Sequence, residues 1–256
     1  MLLAIDVGNT NTVLGTFAGE KLVDSWRVRT DSRATADELA WLYRGLIAQT
    51  GVITGIAISS TVPGVLHELR SMAGRYFAHL PLVVVEPGVR TGVPLLYDNP
   101  KEVGPDRIVN ALAAHHLYGG PAIVVDFGTS TNFDVVSAKG EFLGGALAPG
   151  LEISIDALAQ RGARLFKIEL ARPRSVIGKS TVEALQSGLL YGTVGQVDGL
   201  VRRITAELGG SATVIATGGL APLVLSESET LQHHEPDLTL IGLRLVYERN
   251  LPDAPV

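Results

Sequence analysis

The stretch Ile5-Asp6-Val7-Gly8-Asn9-Thr10-Asn11-Thr12-Val13 decides the fold. Leu2 to Ile5 is a short apolar run of strand type, and Thr12 to Phe17 resumes as a second strand. Gly8 and Asn9 between them are turn formers that accept positive φ. A tight strand–turn–strand of this kind turns backbone N–H groups, with the hydroxyls of Thr10 and Thr12, toward one point. Such a cradle suits phosphate oxygens. Asp6, closing the first strand, is placed to hold a hydrated magnesium ion over those phosphates. A capped hairpin with no ligand explains the same residues equally well.

The pattern returns at Asp126-Phe127-Gly128-Thr129-Ser130-Thr131-Asn132, after a strand at Ala122–Val125 and before one at Phe133–Ser137. Asp6 matches Asp126, Gly8 matches Gly128 and Thr10 matches Ser130. Each copy then runs into a polar turn (Ala18 to Lys21; Ala138 to Glu141) and a third strand (Leu22–Val28; Phe142–Leu147). This is an internal duplication of a hairpin-led unit. Two such halves facing each other make a cleft with a phosphate loop on each wall. This plan resembles the actin-like, sugar-kinase-like ATPase fold over the whole chain, and the resemblance implies an α/β protein with duplicated actin-like ATPase (ribonuclease H-like) domains at 1–118 and 119–256.

Composition narrows the function classes. The chain has 256 residues, 46% of them hydrophobic, and a positive mean hydropathy, enough for real cores. With a net charge of −5 and no basic–aromatic stripe, nucleic acid is not an expected partner. The absence of cysteine removes disulfides, zinc–thiolate sites and thiol catalysis together. No apolar run reaches the roughly 18 residues of a membrane span, and the first residues lack a signal peptide's pattern. A soluble, cytoplasmic protein is expected.

In the first half, Thr35 to Gln49 reads as a helix opened by a Thr35/Glu38 capping box. Gly55–Ser59 is a buried strand, a helix starting near Pro63 runs to Tyr76, and Leu82–Val85 is a fifth strand. The long loop Glu86–Pro105 ends in Gly104-Pro105-Asp106-Arg107, and Ile108–Leu117 follows as a helix. Asp106 then sits at a helix N-terminus, as its cap or in its first turn.

In the second half, Leu151–Gln160 is a helix, and Arg161 to Lys179 is irregular and the most basic region. That region either attracts an anion or is a solvated loop. Thr181 to Leu208 is a long helix with one apolar face and a second stripe of Gly188, Gly192, Gly195 and Gly199. Aligned glycines of this kind predict close approach of backbone or of another subunit, and a helix buried on both sides. Thr213–Thr217 is a strand ending in Gly218-Gly219, and Asp237–Arg249 closes the chain as an amphipathic helix.

With these residues placed, the chain resembles the bacterial type III pantothenate kinases. The resemblance rests on Asp6 to Thr12, Gly104 to Arg107, Asp126 to Thr129, Gly178 to Thr181 with Ser187-Gly188, Thr217 to Gly219, and Leu238 to Gly242. It implies transfer of the ATP γ-phosphoryl group to the primary hydroxyl of pantothenate, the first step of coenzyme A synthesis. Carried over by motif, Asp6, Val7, Gly8, Asn9, Thr10, Asn11, Thr12 and Val13 hold the ATP phosphates. Asp6 also serves Mg2+, and Thr129 is a second ATP contact. Asp106 is the base, and Gly104, Pro105, Asp106, Arg107, Tyr97 and Thr181 line the pantothenate. Asp126 is the ligand of a monovalent cation, K+ or NH4+. The resemblance also implies a homodimer. One departure stands out: Asn132 replaces the Thr of the family's pattern, which unsettles the second loop. Rival readings of the same fold are a non-catalytic accessory transcriptional regulator, a phosphatase and a filament protein.

Overall fold

The computed structural model describes residues 1–161 and 168–251. The chain forms two units: Met1–Val93, Asp98–Ala113 and the segment from Leu238 make one, Pro94–Tyr97 and Ala114–Asp237 the other. This division differs from a single cut between 118 and 119 chiefly in returning the last helix to the first unit.

The first unit runs β1 (Leu2–Val7), β2 (Asn11–Ala18), β3 (Lys21–Arg29), α1 (Ala36–Leu46), β4 (Gly55–Ser60), α2 (Pro63–Tyr76) and β5 (Leu82–Val84). Its sheet has the order β3-β2-β1-β4-β5. The first three strands are antiparallel neighbours, and β4 and β5 join in parallel. Because side chains alternate across a strand, Leu3, Ile5 and Val7 share one face. There they pack with Leu39 and Tyr43 of α1 and with Leu69 and Met72 of α2. The capping box forms as the sequence predicts: Glu38 N–H donates to Thr35 Oγ1, and Thr35 N–H donates to the Glu38 carboxylate.

The opposite face of this sheet receives α7 (Leu238–Arg249). A Cβ on Gly15 would meet Leu240, and one on Gly55 would overlap the Tyr247 ring, so both strands carry glycine where the helix lies closest. The closing helix forms as expected, and eight of its residues are buried, Arg244 among them, so burial reaches further around α7 than a single apolar face. The helix α3 (Pro105–Tyr118) begins three residues earlier than predicted. It lies tight against α7, where a Cβ on Gly242 would clash with the backbone of Val109.

The second unit repeats the plan with β6 (Ala122–Phe127), β7 (Ser130–Val136), β8 (Phe142–Pro149), α4 (Leu151–Arg161), α5 (Thr181–Glu207), β9 (Thr213–Thr217), α6 (Ala221–Leu225) and β10 (His233–His234). Its sheet order, β10-β9-β6-β7-β8, is that of the first sheet with β10 in the place of β5. His233 and His234 form this edge strand, parallel to β9. The core lies between β6, β7 and β9 and the inner face of α5, with Phe127, Phe133, Leu190 and Val197 buried.

The glycine stripe of α5 meets no other backbone of the described chain. A Cβ at Gly188, Gly192 or Gly195 would meet nothing within 4 Å among the described residues, and one at Gly199 would meet only Arg203. Within the described chain the helix is buried on the side that faces β6, β7 and β9. Within the basic region, Arg164 and Lys167 lie outside the described residues. Arg172 pairs with Glu227 and Arg174 with Glu183, as in a solvated, ion-paired loop.

Candidate active site

In the first unit the pair β1–β2 closes with Val7 opposite Thr12, leaving a four-residue loop, Gly8 to Asn11. Gly8 N–H donates to the Asn11 carbonyl at 3.0 Å, and Asn9 and Thr10 are exposed at the tip. Asp6 stands half-buried at the end of β1, on the sheet face that also receives α7. Thr12 falls on the other face by strand alternation. Its hydroxyl is buried, sits 2.9 Å from the Thr30 hydroxyl, and also bonds the Tyr43 phenol. Thr12 thus braces the loop from within, and of the two hydroxyls expected at the phosphate point only Thr10 is exposed. Burial pushes the Tyr43 phenol up to about 12, the Thr12 hydroxyl acting against this.

Asp106 shares this unit. It occupies the first turn of α3, and Gly104, whose carbonyl accepts from Ile108 N–H, precedes the helix. Its carboxylate folds back over Gly104: a Cβ on that glycine would lie 2.4 Å from Asp106 Oδ1 and 3.9 Å from a Thr61 methyl. Thr61 in turn donates its N–H and hydroxyl to the Val7 carbonyl, at 3.0 and 3.2 Å. The carboxylate and the loop therefore stand at one end of the sheet, beyond the C-terminal ends of β1 and β4. In open α/β sheets this is where ligands bind. Oδ1 is buried and accepts no hydrogen bond among the described residues. Burial raises the Asp106 pKa, while the Arg107 backbone N–H and guanidinium pull the other way. The net direction is upward, against the simple expectation that a helix start favours the ionised form. Arg107 itself is buried.

In the second unit the matching hairpin closes with Phe127 opposite Thr131, around only three residues, Gly128 to Ser130. Gly128 N–H donates to the Ser130 carbonyl at 3.0 Å. The sequence alignment therefore slips by one after the glycine: Ser130 corresponds to Asn11, Thr131 to Thr12 and Asn132 to Val13. The pairing of Thr10 with Ser130 is corrected accordingly. Asn132 is buried opposite Asp126, and its Oδ1 accepts from Ser130 Oγ at 2.6 Å. The amide that departs from the family pattern ties down the loop's last residue.

Asp126 is half-buried at the end of β6, and Thr129 is exposed on the loop. The turn after β9 packs onto them. A Cβ on Gly218 would lie 2.6 Å from both Asp126 Oδ1 and the Phe127 carbonyl, and its φ of +89° itself selects glycine. A carboxylate and a carbonyl converging in this way form an all-oxygen set suited to a hard cation. Among the described residues no group of three or more His, Asp or Glu side chains gathers as for a transition metal. The single carboxylate of Asp6 beside the hairpin loop has the oxygen chemistry that suits magnesium, an ion that keeps several waters and takes few protein ligands.

Tyr97 lies in the second unit, its ring 6.0 Å from Phe142 and against Gly144, on a segment that joins the sheet beside β8. Thr181 is the exposed first residue of α5 after the cap Ser180, whose hydroxyl accepts from Glu183 N–H. The structure thus brings Asp6 to Val13 and Gly104 to Arg107 to one end of the first sheet, while Asp126, Thr129, Tyr97 and Thr181 belong to the other unit, with Tyr97 and Thr181 on elements of their own. Sequence reading missed Thr30, whose only signal was its place just past the third strand.

Comparison with known proteins gives the family and the fold. The family model for type III pantothenate kinase matches residues 2–203. A type III pantothenate kinase of Frankia alni is 73% identical over 251 residues, covering 98% of this chain and 100% of the relative. Among solved structures, one described as a conserved Baf family transcriptional activator from Campylobacter jejuni aligns over 97% of this chain and 98% of its own. Its TM-score is 0.63 at 17% identity. An inorganic polyphosphate/ATP-glucomannokinase from Arthrobacter aligns over 97% and 99%, with TM-score 0.53 and 15% identity. These two likenesses concern the fold, which is that of the duplicated actin-like and sugar-kinase ATPases. The match along the chain and the agreement of its motifs lead to one conclusion: the chain belongs to the type III pantothenate kinase family.

Proposed function

We propose that the chain transfers the γ-phosphoryl group of ATP to the primary hydroxyl of pantothenate, with Asp106 as the base. One observation carries the assignment of roles: a half-buried carboxylate whose Oδ1 accepts no hydrogen bond among the described residues, that of Asp106, stands beside the hairpin loop Gly8–Asn11 at one sheet end. Phosphoryl transfer depends mostly on positioning and on spreading charge. A carboxylate within hydrogen-bond reach of the alcohol takes its proton as the new P–O bond forms.

The loop N–H groups and Asp6, through magnesium, serve the ATP phosphates. Gly104, Pro105 and Arg107 serve pantothenate beside the base. From the family resemblance, Tyr97 and Thr181 contact pantothenate, Thr129 contacts ATP, and Asp126 holds K+ or NH4+. The resemblance also supports a homodimer working in the cytoplasm. No helix among the described residues is long and apolar enough to cross a membrane.

The family membership and the intact Asp6 and Asp106 favour catalysis over an accessory regulatory role. A coupled assay of ADP release, with and without pantothenate and in potassium or sodium buffer, tests the reading. Release that requires pantothenate and is faster in potassium supports it, and release indifferent to pantothenate refutes it.

A further inference from the structure

Thr30, the first residue past β3, grips the first loop at two points. Its N–H donates to the Thr10 carbonyl at 3.0 Å and its hydroxyl to the Gly8 carbonyl at 2.7 Å. The Thr12 hydroxyl lies 2.9 Å from the same Thr30 oxygen. Thr30 has a single hydroxyl proton, which goes to Gly8, so Thr12 is the donor in that contact. The chain of hydroxyls has one sense, from the buried Thr12 outward to the loop carbonyl.

This fixes where the loop's donors point. In a trans peptide unit the N–H lies antiparallel to the carbonyl. Holding the Gly8 carbonyl toward Thr30 directs the Asn9 N–H away from it. Holding the Thr10 carbonyl does the same for the Asn11 N–H. Outward-facing N–H groups on a turn are what a phosphate requires.

The duplicated unit supplies the contrast. Asn11 pairs with Arg29, and Ser130 with Pro149, so the counterpart of Thr30 is Gly150. A Cβ there would sit 2.3 Å from the Thr129 carbonyl oxygen and 2.7 Å from that of Gly128. The three-residue loop rests on bare backbone, whereas the four-residue loop is held by a side chain.

We infer that Thr30 is a positioning residue for the ATP phosphates, acting through the carbonyls of Gly8 and Thr10, an inference that rests on the reading of Gly8–Asn11 as the ATP loop. Thr30→Val keeps shape and the backbone bond but removes the hydroxyl, and Thr30→Ser restores it. Hydrogen exchange at the Asn9 and Asn11 amides and the KM values for ATP and pantothenate are to be measured on full-length enzyme. With one hydrogen bond lost, Thr30→Val should raise the ATP KM about 3- to 10-fold. It should also speed exchange at the two loop amides, and leave the pantothenate KM and the Tm in place; Thr30→Ser should behave as wild type. Wild-type exchange and ATP KM in Thr30→Val would overturn the inference. So would equal impairment of both variants, or a loss of Tm with faster exchange throughout. A wild-type enzyme that ATP does not saturate would instead refute the underlying reading of the loop.

Discussion

Replacing Gly104 by alanine should disable the base without touching it. The new Cβ would lie 2.4 Å from Asp106 Oδ1, whereas ordinary contact begins near 3.4 Å, so the carboxylate must retreat by about 1 Å. A misplacement of about 1 Å can cost about 10²-fold in rate, or about 2.7 kcal/mol in the barrier. Stability should hardly change. The atom displaced is the far end of a side chain, and Gly104 has no positive φ that alanine would strain. Steady-state kinetics with both substrates, alongside thermal melts, measure the two effects separately. The expected outcome is a kcat lowered about 10²-fold, an ATP KM close to wild type and a Tm within a few degrees of wild type. A Gly104→Ala enzyme with wild-type kcat would refute the idea that this carboxylate, at this position, takes the proton.

Asp106→Asn should lower kcat by about 10²–10⁴. Because burial raises the folded-state pKa of Asp106, stability is lost as pH rises from the ordinary carboxylate value to the raised one, and the loss is complete above it. The Asn variant should therefore melt no lower than wild type at pH 7, any advantage vanishing below pH ~4, and a lower Tm at neutral pH would contradict this. The same shift places the acid limb of the wild-type kcat/KM profile above the ordinary carboxylate range, and a limb inside that range would count against Asp106 as the base. Asp126→Ala should reduce the difference between rates in potassium and sodium; equal rates in both salts for the wild type would dismiss the cation site. Gly192→Leu should leave the monomer's melting unchanged, since nothing within the described chain meets its Cβ, but lower the mass in solution if a second copy covers the stripe. An unchanged mass in solution would show that no second copy covers the stripe.

Most of the first sheet was legible because its strands alternate or run apolar between strong turn formers, and the Thr35/Glu38 and Pro63 signals mark helix starts. The duplication was legible for the same reason, repeated 120 residues on. What failed were matters of one residue or of tertiary contact. The loops differ by one residue, which constant spacing between Asp6 and Asp126 conceals. Strand alternation places Thr12 with Val7 and Leu14 on the face toward Tyr43, so its inward hydroxyl was inferable; the turn motif drew attention from it. What meets the glycine stripe of α5 was not legible, because spacing shows that glycines align, not what they face. The upward shift of Asp106 depends on burial beside Thr61, 45 residues away in sequence, which no local signal carries.

The central claim is that the γ-phosphoryl group passes to an alcohol of pantothenate and not to water. Following the label from γ-labelled ATP in the purified protein, with magnesium, potassium and pantothenate present, tests it most directly. The account predicts label in phosphorylated pantothenate, matching ADP one for one, and its near disappearance in Asp106→Asn. Label appearing as free phosphate at a rate unaffected by pantothenate would contradict it.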